Sequence, residues 1–380
     1  MKRIISLCLI TVLLVSALPL LGSAAPEVAA KSAFLMDVAT GTVLHEVNAH
    51  EKLPPASVTK VMTMLLIMEA IADGRLGWDD MVTASETAAS KGGSQIYLKE
   101  GETMSVTDML KSIAVSSAND CACAMAEHLC GSEEAFVEKM NQRAQELGME
   151  DTHFVNCTGL DDGPAGKEHL TSAHDIAIMS RQLLKYHPEI TKFTTIWMDT
   201  VRDGQFGLSN TNKLVRFYDG ATGLKTGFTS AAGYCLSASA KREEMTLVAV
   251  VMGAATSKDR FNACKALLDY GFANYCLVQP EAEILSVPVK LGQEKQVRAI
   301  PGQDTQLLIE KAQKSSISTT TELEEQVLAP VSKGQRLGTM TIRSGEQVLA
   351  EIPLVAEQTV AKRTFGELFL DMLKRLCMAK

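Results

Sequence analysis

Apolar and polar residues alternate along the first part of the chain. The stretch SAFLMDVATGTVLHEV, residues 32–47, alternates on both sides of Ala39-Thr40-Gly41, which predicts a β-hairpin with its bend at these three residues. The next apolar run extends from Ser57 to about Ala72 and has apolar residues on every side of a helix. We therefore expect this helix to be buried all round.

Helical spacing predominates between residues 80 and 185. The predicted helix starts are Ser105-x-x-Asp108, Ser132 ahead of EEAFVEKMNQRAQEL, and Ser172-x-x-Asp175. Gly148 is expected to end the second of these helices. Residues 154–170 form a long loop that is rich in Gly and Asp, and a loop of this length inside a compact domain is more often functional than idle.

The period changes from Gly220 onward. The segments GLKTGFT, GYCLSASA and MTLVAVVMG are short β-type runs, and a polar turn at residues 241–244 joins the last two, which predicts an antiparallel meander. The helical segment RFNACKALLDYGFANY follows it. The first domain is therefore α/β in composition, with strands at both sequence ends and helices between them.

After Pro280 the chain consists of short alternating segments separated by turns, which predicts a small all-β domain that acts as a structural spacer.

The last residues, 361–380, change to helical spacing. Their predicted apolar face consists of Phe365, Leu368, Phe369, Met372, Leu373 and Leu376. Five basic residues stand against two acidic ones, namely Lys362, Arg363, Lys374, Arg375 and Lys380 against Glu367 and Asp371. A basic amphipathic helix favours an anionic membrane surface, and docking on the β domain is the alternative.

The first residues are typical of an export signal. Lys2 and Arg3 precede an apolar stretch at residues 4–21, and the small residues Gly22-Ser23-Ala24 follow it. We expect cleavage and a location at the outer face of the cytoplasmic membrane or in the cell wall. A retained transmembrane anchor is the alternative, since the apolar run is near the lower limit for spanning.

Composition narrows the class of protein. With 380 residues and 46% hydrophobic composition, the chain can bury a large core and is long enough for two domains. The net charge is -8, and no basic cluster with interleaved aromatic residues is present, which argues against a nucleic-acid partner.

Eight of the nine cysteines follow the signal and lie in apolar contexts, so we interpret most of them as buried small side chains, with disulfides as the alternative. A metal site around CACAMAEHLC is disfavoured, because Cys121 and Cys123 point to different sides of a helix.

The segment PPASVTK, residues 54–60, places Ser57 and Lys60 three residues apart at the start of the apolar helix. Residues with this spacing lie on one helical face, so the amine can reach the hydroxyl. Burial lowers the pKa of a lysine, and a neutral Lys60 can take the proton of Ser57. The helix N-terminus adds a positive dipole end where an oxyanion would form. Taken alone, the pair is also typical of a helix cap and a solvated charge.

A second motif, Ser117-x-Asn119, lies between two helical runs in SIAVSSANDCACAM. Its hydroxyl would relay a proton to a leaving amine, and its amide would orient the lysine and the substrate. A helix cap is the structural alternative.

A third motif, Lys225-Thr226-Gly227, lies on a predicted strand. Lys225 and Thr226 offer a cation and a hydroxyl to a carboxylate, and Gly227 allows another backbone to approach closely. A second cation near Lys60 would lower the pKa of that lysine further.

Ser-x-x-Lys, Ser-x-Asn and Lys-Thr-Gly in this order form the motif set of penicillin-binding proteins and class A β-lactamases. The chain resembles the low-molecular-mass penicillin-binding proteins that are serine-type D-alanyl-D-alanine carboxypeptidases of the peptidase S11 type. PPASVTKVMT, HLTSAHD, DGATGLKTGFTSAAGYCLSASAKR and the RFN of residues 260–262 carry the resemblance, which covers nearly the whole chain.

The resemblance implies an α/β (α+β) catalytic domain of the β-lactamase/transpeptidase type, with an antiparallel sheet and a helical subdomain. The expected boundaries are a signal peptide at 1–24, the catalytic domain at 25–277, an all-β domain at 278–360 and an amphipathic membrane-anchoring helix at 361–380.

The resemblance also implies the role of each site residue. Ser57 would attack the terminal D-Ala-D-Ala bond of a peptidoglycan stem peptide, Lys60 would be its base, and Ser117 would pass the proton to the leaving D-alanine. The implied substrate-binding residues are Asn119 for the amide, Lys225, Thr226 and Gly227 of the third motif for the terminal carboxylate, Phe228 and Ser57 for a backbone oxyanion hole, and Arg260 as a further carboxylate ligand. Hydrolysis of the acyl-enzyme would complete a reaction that serves cell wall biogenesis and cell shape. β-Lactams would be a second ligand class, and no metal or organic cofactor is implied.

The chain departs from the family pattern at two places. Ala118 stands where the family often has glycine, and its methyl group would narrow the cleft. The long loop carries Glu168 but no Glu-x-x-Leu-Asn signature, which argues against a β-lactamase. Ser94, in KGGSQIYL, is a candidate because this segment aligns with a loop that influences deacylation in the family.

Three other functions remain as alternatives. One is a β-lactamase, and another is a non-catalytic scaffold that binds penicillin and peptidoglycan. A Ser-His-Asp hydrolase is the third, but the chain lacks a Gly-x-Ser-x-Gly elbow, and His169 and His174 fit as loop and cap residues.

Overall fold

The computed structural model describes residues 25–161, 165–281 and 285–378. The predicted export signal at residues 1–24 lies outside the described residues. The chain divides into two compact units, of which the first ends at Asn274 and the second begins at Tyr275.

The first unit contains nine strands among its described residues. They are β1 (Ser32–Asp37), β2 (Val43–Val47), β3 (Met81–Thr83), β4 (Thr103–Ser105), β5 (Met198–Val201), β6 (Phe206–Ser209), β7 (Ala221–Thr229), β8 (Gly233–Arg242) and β9 (Met245–Ala254). Its α-helices are α1 (Lys60–Ala72), α2 (Glu86–Ala89), α3 (Val106–Ser116), α4 (Asn119–Cys130), α5 (Glu133–Glu146), α6 (Ala173–Tyr186), α7 (Thr191–Thr194), α8 (Leu214–Phe217) and α9 (Ser257–Asn274). Short 3₁₀ helices cover Ala56–Thr59, Ala165–Glu168 and Pro188–Ile190.

A five-stranded antiparallel sheet of order β2-β1-β9-β8-β7 forms the first unit's framework. The predicted hairpin and meander are both present in it. Consecutive residues of β8 and β9 are buried, because helices cover the sheet, and α6 and α9 both pack on β9. Strand β7 is the last in the order, so one of its edges is not occupied by another strand of this sheet.

Helix α1 contacts α3, α4, α5 and α6, which explains why its apolar residues fall on every side. The three predicted capping residues are confirmed. Ser105, Ser132 and Ser172 each accept a hydrogen bond from the backbone N–H three residues later. Gly148 follows α5 with a φ of +73°.

The expectation of mostly helical structure from residue 80 is wrong at its start. Strands β3 and β4 pair there, and each buries only its middle residue, Val82 and Met104. Three-residue strands are too short to show an alternating pattern. The pairing of β5 with β6 was likewise not predicted.

The second unit is an all-β domain followed by a helix, as predicted. Its strands are β10 (Tyr275–Val278), β11 (Leu285–Lys290), β12 (Gln296–Pro301), β13 (Leu307–Glu310), β14 (Ile317–Leu323), β15 (Val327–Leu328), β16 (Arg336–Ser344) and β17 (Gln347–Ala356), and a 3₁₀ helix covers Lys311–Ser316. Six strands form a sheet of order β14-β16-β17-β12-β11-β15, and β10 pairs with β13. Their inward residues form a separate apolar core.

Helix α10 (Phe365–Met378) ends the described chain. Thr364 and Glu367 cap each other's backbone at its start. Several of its apolar side chains are exposed, from Phe365 at 84% to Leu373 at 39%. Within the described ranges, no helix has the length and apolar composition needed to cross a bilayer.

Candidate active site

Ser57 lies in the 3₁₀ helix that leads into α1, and Lys60 is the first residue of α1. The amine Nζ of Lys60 lies 3.0 Å from Ser57 Oγ and donates a second hydrogen bond, of 2.8 Å, to the carbonyl of Thr158. The lysine is completely buried, and this burial lowers its pKa to about 7. The Lys60 amine can therefore be neutral at physiological pH and accept the proton of Ser57.

The backbone before Ser57 has an unusual conformation. Ala56 has a φ of +49°, a value that residues with a Cβ rarely adopt. Strand β7 passes close by, since a Cβ added to Gly227 would lie 2.7 Å from the carbonyl oxygen of Pro55 and 3.1 Å from the amide nitrogen of Ser57. Glycine in the Lys-Thr-Gly motif thus lets β7 approach the Ser57 backbone.

Ser117 and Asn119 occupy the junction between α3 and α4. Ser117 ends α3 in the left-handed conformation, with a φ of +64°. Its hydroxyl and the side-chain oxygen of Asn119 are buried without a hydrogen-bond partner in the described part of the chain. Buried polar atoms that lack a hydrogen-bond partner within the protein are suited to form hydrogen bonds to a ligand.

The segment of residues 91–98 is attached to this junction through its backbone. Asn119 donates from its side chain to Gly92 O and from its backbone to Ser94 O, each at 2.7 Å. The buried carboxylate of Asp120 accepts hydrogen bonds from the N–H groups of Ile96 and Leu98. The side chain of Ser94 itself is exposed, so this candidate residue contributes its carbonyl to the arrangement.

The Lys-Thr-Gly motif lies on β7. Lys225 is buried, and this burial holds its pKa well below the usual range, with Lys60 and Arg260 lowering it further. Thr226 Oγ1 donates to Thr211 Oγ1 at 2.6 Å, and the Thr211 N–H donates to the carbonyl of Val115 near the end of α3. Thr211 therefore links the third motif to the helix that carries the second.

Arg260 is the third basic residue of this region and is 7% exposed. Its Nη1 donates to Gly227 O and Cys235 O at 2.9 and 3.3 Å, while its Nε lacks a hydrogen-bond partner among the described groups. The guanidinium lies 5.3 Å from the ring centroid of Tyr234, which in turn packs on the exposed ring of Phe228. The positive charge of Arg260, together with that of Lys60 or Lys225 whenever either amine is protonated, favours an anionic ligand such as a carboxylate.

Comparison with known proteins gives the family of the chain. Residues 21–256 match the family model described as D-alanyl-D-alanine carboxypeptidase, and residues 272–362 match the model of the penicillin-binding protein 5 C-terminal domain. The chain is 43% identical to the D-alanyl-D-alanine carboxypeptidase DacF of Bacillus subtilis over 389 residues, covering 99% of this chain and 98% of the relative. The chain belongs to the D-alanyl-D-alanine carboxypeptidase family.

Solved structures of the family share the fold. Penicillin-binding protein 5 from Haemophilus influenzae matches with a TM-score of 0.79 and 32% identity, covering 90% of this chain and 100% of that one. Penicillin-binding protein D2 from Listeria monocytogenes, solved in an ampicillin-bound form, matches with a TM-score of 0.59 and 33% identity, covering 65% of this chain and 100% of that one. The predicted family, the α/β fold class with its all-β second domain, and the activity of a D-alanyl-D-alanine carboxypeptidase are confirmed.

One contributor to this carboxypeptidase site was missed in the sequence. The carbonyl of Thr158, which binds Lys60, is presented by a turn at residues 156–160. Asn156 builds this turn, because its side-chain oxygen accepts hydrogen bonds from the N–H groups of Thr158 and Gly159. The Asn-x-x-Gly spacing in the long loop was the available signal, but it does not reveal which residue the turn contacts.

The cysteine thiols make none of the hydrogen bonds described above for this site. The eight described cysteines are free thiols, and five of them are fully buried. Among residues 25–161, 165–281 and 285–378, no group of three or more His, Cys, Asp or Glu side chains is arranged to hold a metal ion.

Proposed function

We propose that this carboxypeptidase removes the terminal D-alanine from peptidoglycan stem pentapeptides through an acyl-enzyme on Ser57. The observation that carries this proposal is the 3.0 Å contact between Ser57 Oγ and the buried Lys60 amine. Lys60 takes the hydroxyl proton while Ser57 Oγ attacks the carbonyl carbon of the penultimate D-alanine. The peptide bond breaks as Ser117 passes the proton held by Lys60 on to the departing amine, and water then hydrolyses the ester and restores the Ser57 hydroxyl.

The other site residues bind and orient the substrate. Asn119 holds the substrate amide, and Lys225 with Thr226 binds the terminal carboxylate. Gly227 lets β7 lie against the Ser57 backbone, and the backbone N–H groups of Ser57 and Phe228 stabilise the oxyanion. Arg260 adds positive charge near the same carboxylate.

The open edge of β7 supports this binding mode, since an extended peptide can pair with an exposed strand. β-Lactams would acylate the same serine. Ampicillin and cefotaxime are bound in the structures of the Listeria relative, which supports this second ligand class.

We further propose an exported enzyme held at the outer face of the cytoplasmic membrane. Residues 1–24 would be the cleaved signal, 25–277 the catalytic domain and 278–360 a spacer. Within the predicted 361–380 segment, the anchor would be α10 (Phe365–Met378). The exposed apolar side chains of α10 beside basic residues support binding to an anionic lipid surface.

The test is adduct mapping together with product analysis. Labelled penicillin should attach to Ser57, as located by mass spectrometry of the digested protein, and the enzyme should release one D-alanine from a defined pentapeptide. Ser57→Ala should abolish both, because no nucleophile remains. An adduct on another residue would overturn the proposal. Rapid loss of the adduct with many turnovers of penicillin would instead identify a β-lactamase, and adduct formation without D-alanine release would identify a scaffold.

A further inference from the structure

His169 is buried close to the nucleophile, and its two ring nitrogens contact two different segments of the chain. It is 2% exposed. Its Nδ1 lies 3.2 Å from the backbone nitrogen of Val155, just before the turn at residues 156–160. Its Nε2 lies 2.8 Å from Oγ1 of Thr59, in the 3₁₀ helix that contains Ser57.

These contacts fix the positions of the protons. The Val155 N–H can only donate, so Nδ1 of His169 accepts and carries no proton. Burial lowers the pKa of His169 to about 4, so the ring is neutral near pH 7 and its single N–H is on Nε2. That N–H donates to Thr59 Oγ1, and the Thr59 hydroxyl donates to the carbonyl of Ala56 at 2.9 Å. Three hydrogen bonds, each donated in the same direction, therefore connect the N–H of Val155 to the carbonyl of Ala56, the residue before Ser57.

The two connected segments are those that determine the surroundings of the Lys60 amine. One carries Ser57, and the other carries the carbonyl of Thr158; the amine contacts both. They also touch directly, since a Cβ added to Gly159 would lie 1.8 Å from the Ala56 carbonyl oxygen. The unusual φ of +49° at Ala56 requires support from its surroundings, and the Thr59 hydroxyl supplies a hydrogen bond to its carbonyl.

We propose that His169 is a positioning residue for acylation of Ser57. Its imidazole holds the Ala56–Thr59 segment and the 156–160 turn at a fixed separation, so that the Lys60 amine meets Ser57 Oγ and Thr158 O together. His169 acts through Thr59 and does not contact the reacting atoms. The proposal rests on the proposed function, in which Ser57 is the nucleophile and Lys60 its base.

The experiment compares His169→Leu, His169→Gln and Thr59→Val in the full chain. Leucine removes both hydrogen bonds of the ring, whereas glutamine keeps an N–H that can donate to Thr59. We expect His169→Leu and Thr59→Val to lower the second-order rate constant of acylation by a fluorescent penicillin about 10- to 100-fold. The rate constant of the His169→Gln variant should lie within about threefold of the wild-type value. In His169→Leu and Thr59→Val, kcat for D-alanine release should fall while KM stays within about threefold of the wild-type value.

The matched control is His153→Leu. His153 also contacts the long loop, through the carbonyl of Glu168, but it is exposed and has no hydrogen bond to the 3₁₀ helix of Ser57. Substitution of His153 should leave the rate constant of acylation unchanged.

A double variant that combines His169→Leu with Thr59→Val tests whether the two residues act together. Because Thr59 and His169 act in one chain of hydrogen bonds, this double variant should acylate about as slowly as the slower single variant.

The outcomes separate the two proposals. A folded His169→Leu or Thr59→Val that acylates at the wild-type rate would overturn the role of His169, as would equal losses in the leucine and glutamine variants at equal melting temperature. If leucine prevents folding, Thr59→Val and His169→Gln still decide. Failure of the wild type itself to form a Ser57 adduct would instead overturn the proposed function.

Discussion

In the proposed mechanism, the ionisation of Lys60 controls whether Ser57 can react. A lysine is normally charged at pH 7, and a charged amine cannot accept the serine proton. In this enzyme, complete burial of Lys60 is the main cause that lowers its pKa to about 7, while Cys157 and Asp120 act in the opposite direction. Neutral and protonated lysine are therefore both populated near physiological pH.

Acylation should therefore depend on pH in one direction. Above a pH of about 7 the Lys60 amine is neutral and the rate should be constant, whereas below it the rate constant should fall towards a limiting slope of about tenfold per pH unit. Stopped-flow acylation by a fluorescent penicillin between pH 5 and 9 measures this profile. Circular dichroism at each pH is the control for unfolding. A rate constant that stays level down to pH 5 would contradict the role of Lys60 as the base.

At the level of elements, the site depends on how the turn at residues 156–160 packs on the 3₁₀ helix of Ser57. Gly159 has a φ of +83°, and its Cα faces the Ala56 carbonyl and Thr59 Oγ1. A side chain at this position would have to displace backbone atoms. The turn and the Ala56–Thr59 segment thus form one packed unit although they are distant in the sequence.

Gly159→Ala should therefore damage both stability and activity. The left-handed conformation and the overlap with Ala56 together should cost about 2–5 kcal/mol in the free energy of unfolding, and acylation should slow at least about tenfold. Urea unfolding and the penicillin assay measure the two effects.

Gly148→Ala is the matched control for this substitution. Gly148 has a similar φ of +73°, but no atom lies within 4 Å of an added Cβ. It should cost only about 1–2 kcal/mol and leave acylation unchanged. Equal effects of the two substitutions would show that packing against Ala56 is unimportant.

For the whole molecule, the central question is where the enzyme acts. Helix α10 exposes Phe365, Phe369, Leu370 and Met372, and basic residues lie nearby in the chain. Such a helix gains free energy by burying its apolar face in a lipid interface, and anionic headgroups add electrostatic attraction. Residues 361–363, before this helix, pair with the β domain, since Gln293 N donates to Ala361 O and Arg363 N to Leu291 O.

A chain that extends from residue 25 to residue 363 should therefore lose membrane binding and keep its activity. We expect the chain of residues 25–380 to sediment with phosphatidylglycerol vesicles and much less with phosphatidylcholine vesicles, and added salt should weaken the association. Penicillin acylation of both chains is the control for folding. Equal retention of the shortened chain on anionic vesicles would contradict an anchor in α10.

Much of the fold could be predicted because its signals are local. The hairpin, the all-round apolar helix, the three serine caps and the β-type second domain each follow from periodicity or from residues a few positions apart. Strands β3 and β4 were missed because three residues carry too little periodicity. The three motifs were found because each is contiguous in sequence and their order is distinctive.

The sequence by itself determined the candidate catalytic residues: a serine and a lysine three positions apart, and two further motifs of defined type and order. Only the tertiary structure decided their environment. It brought the Thr158 carbonyl within hydrogen-bond distance of Lys60 and His169 within hydrogen-bond distance of Thr59. It also attached the 91–98 segment to Asn119 and Asp120. The physical reason is that the Lys60 pKa depends on burial, and burial is produced by segments far apart in the chain. The Thr158 contact, for example, joins residues 98 positions apart.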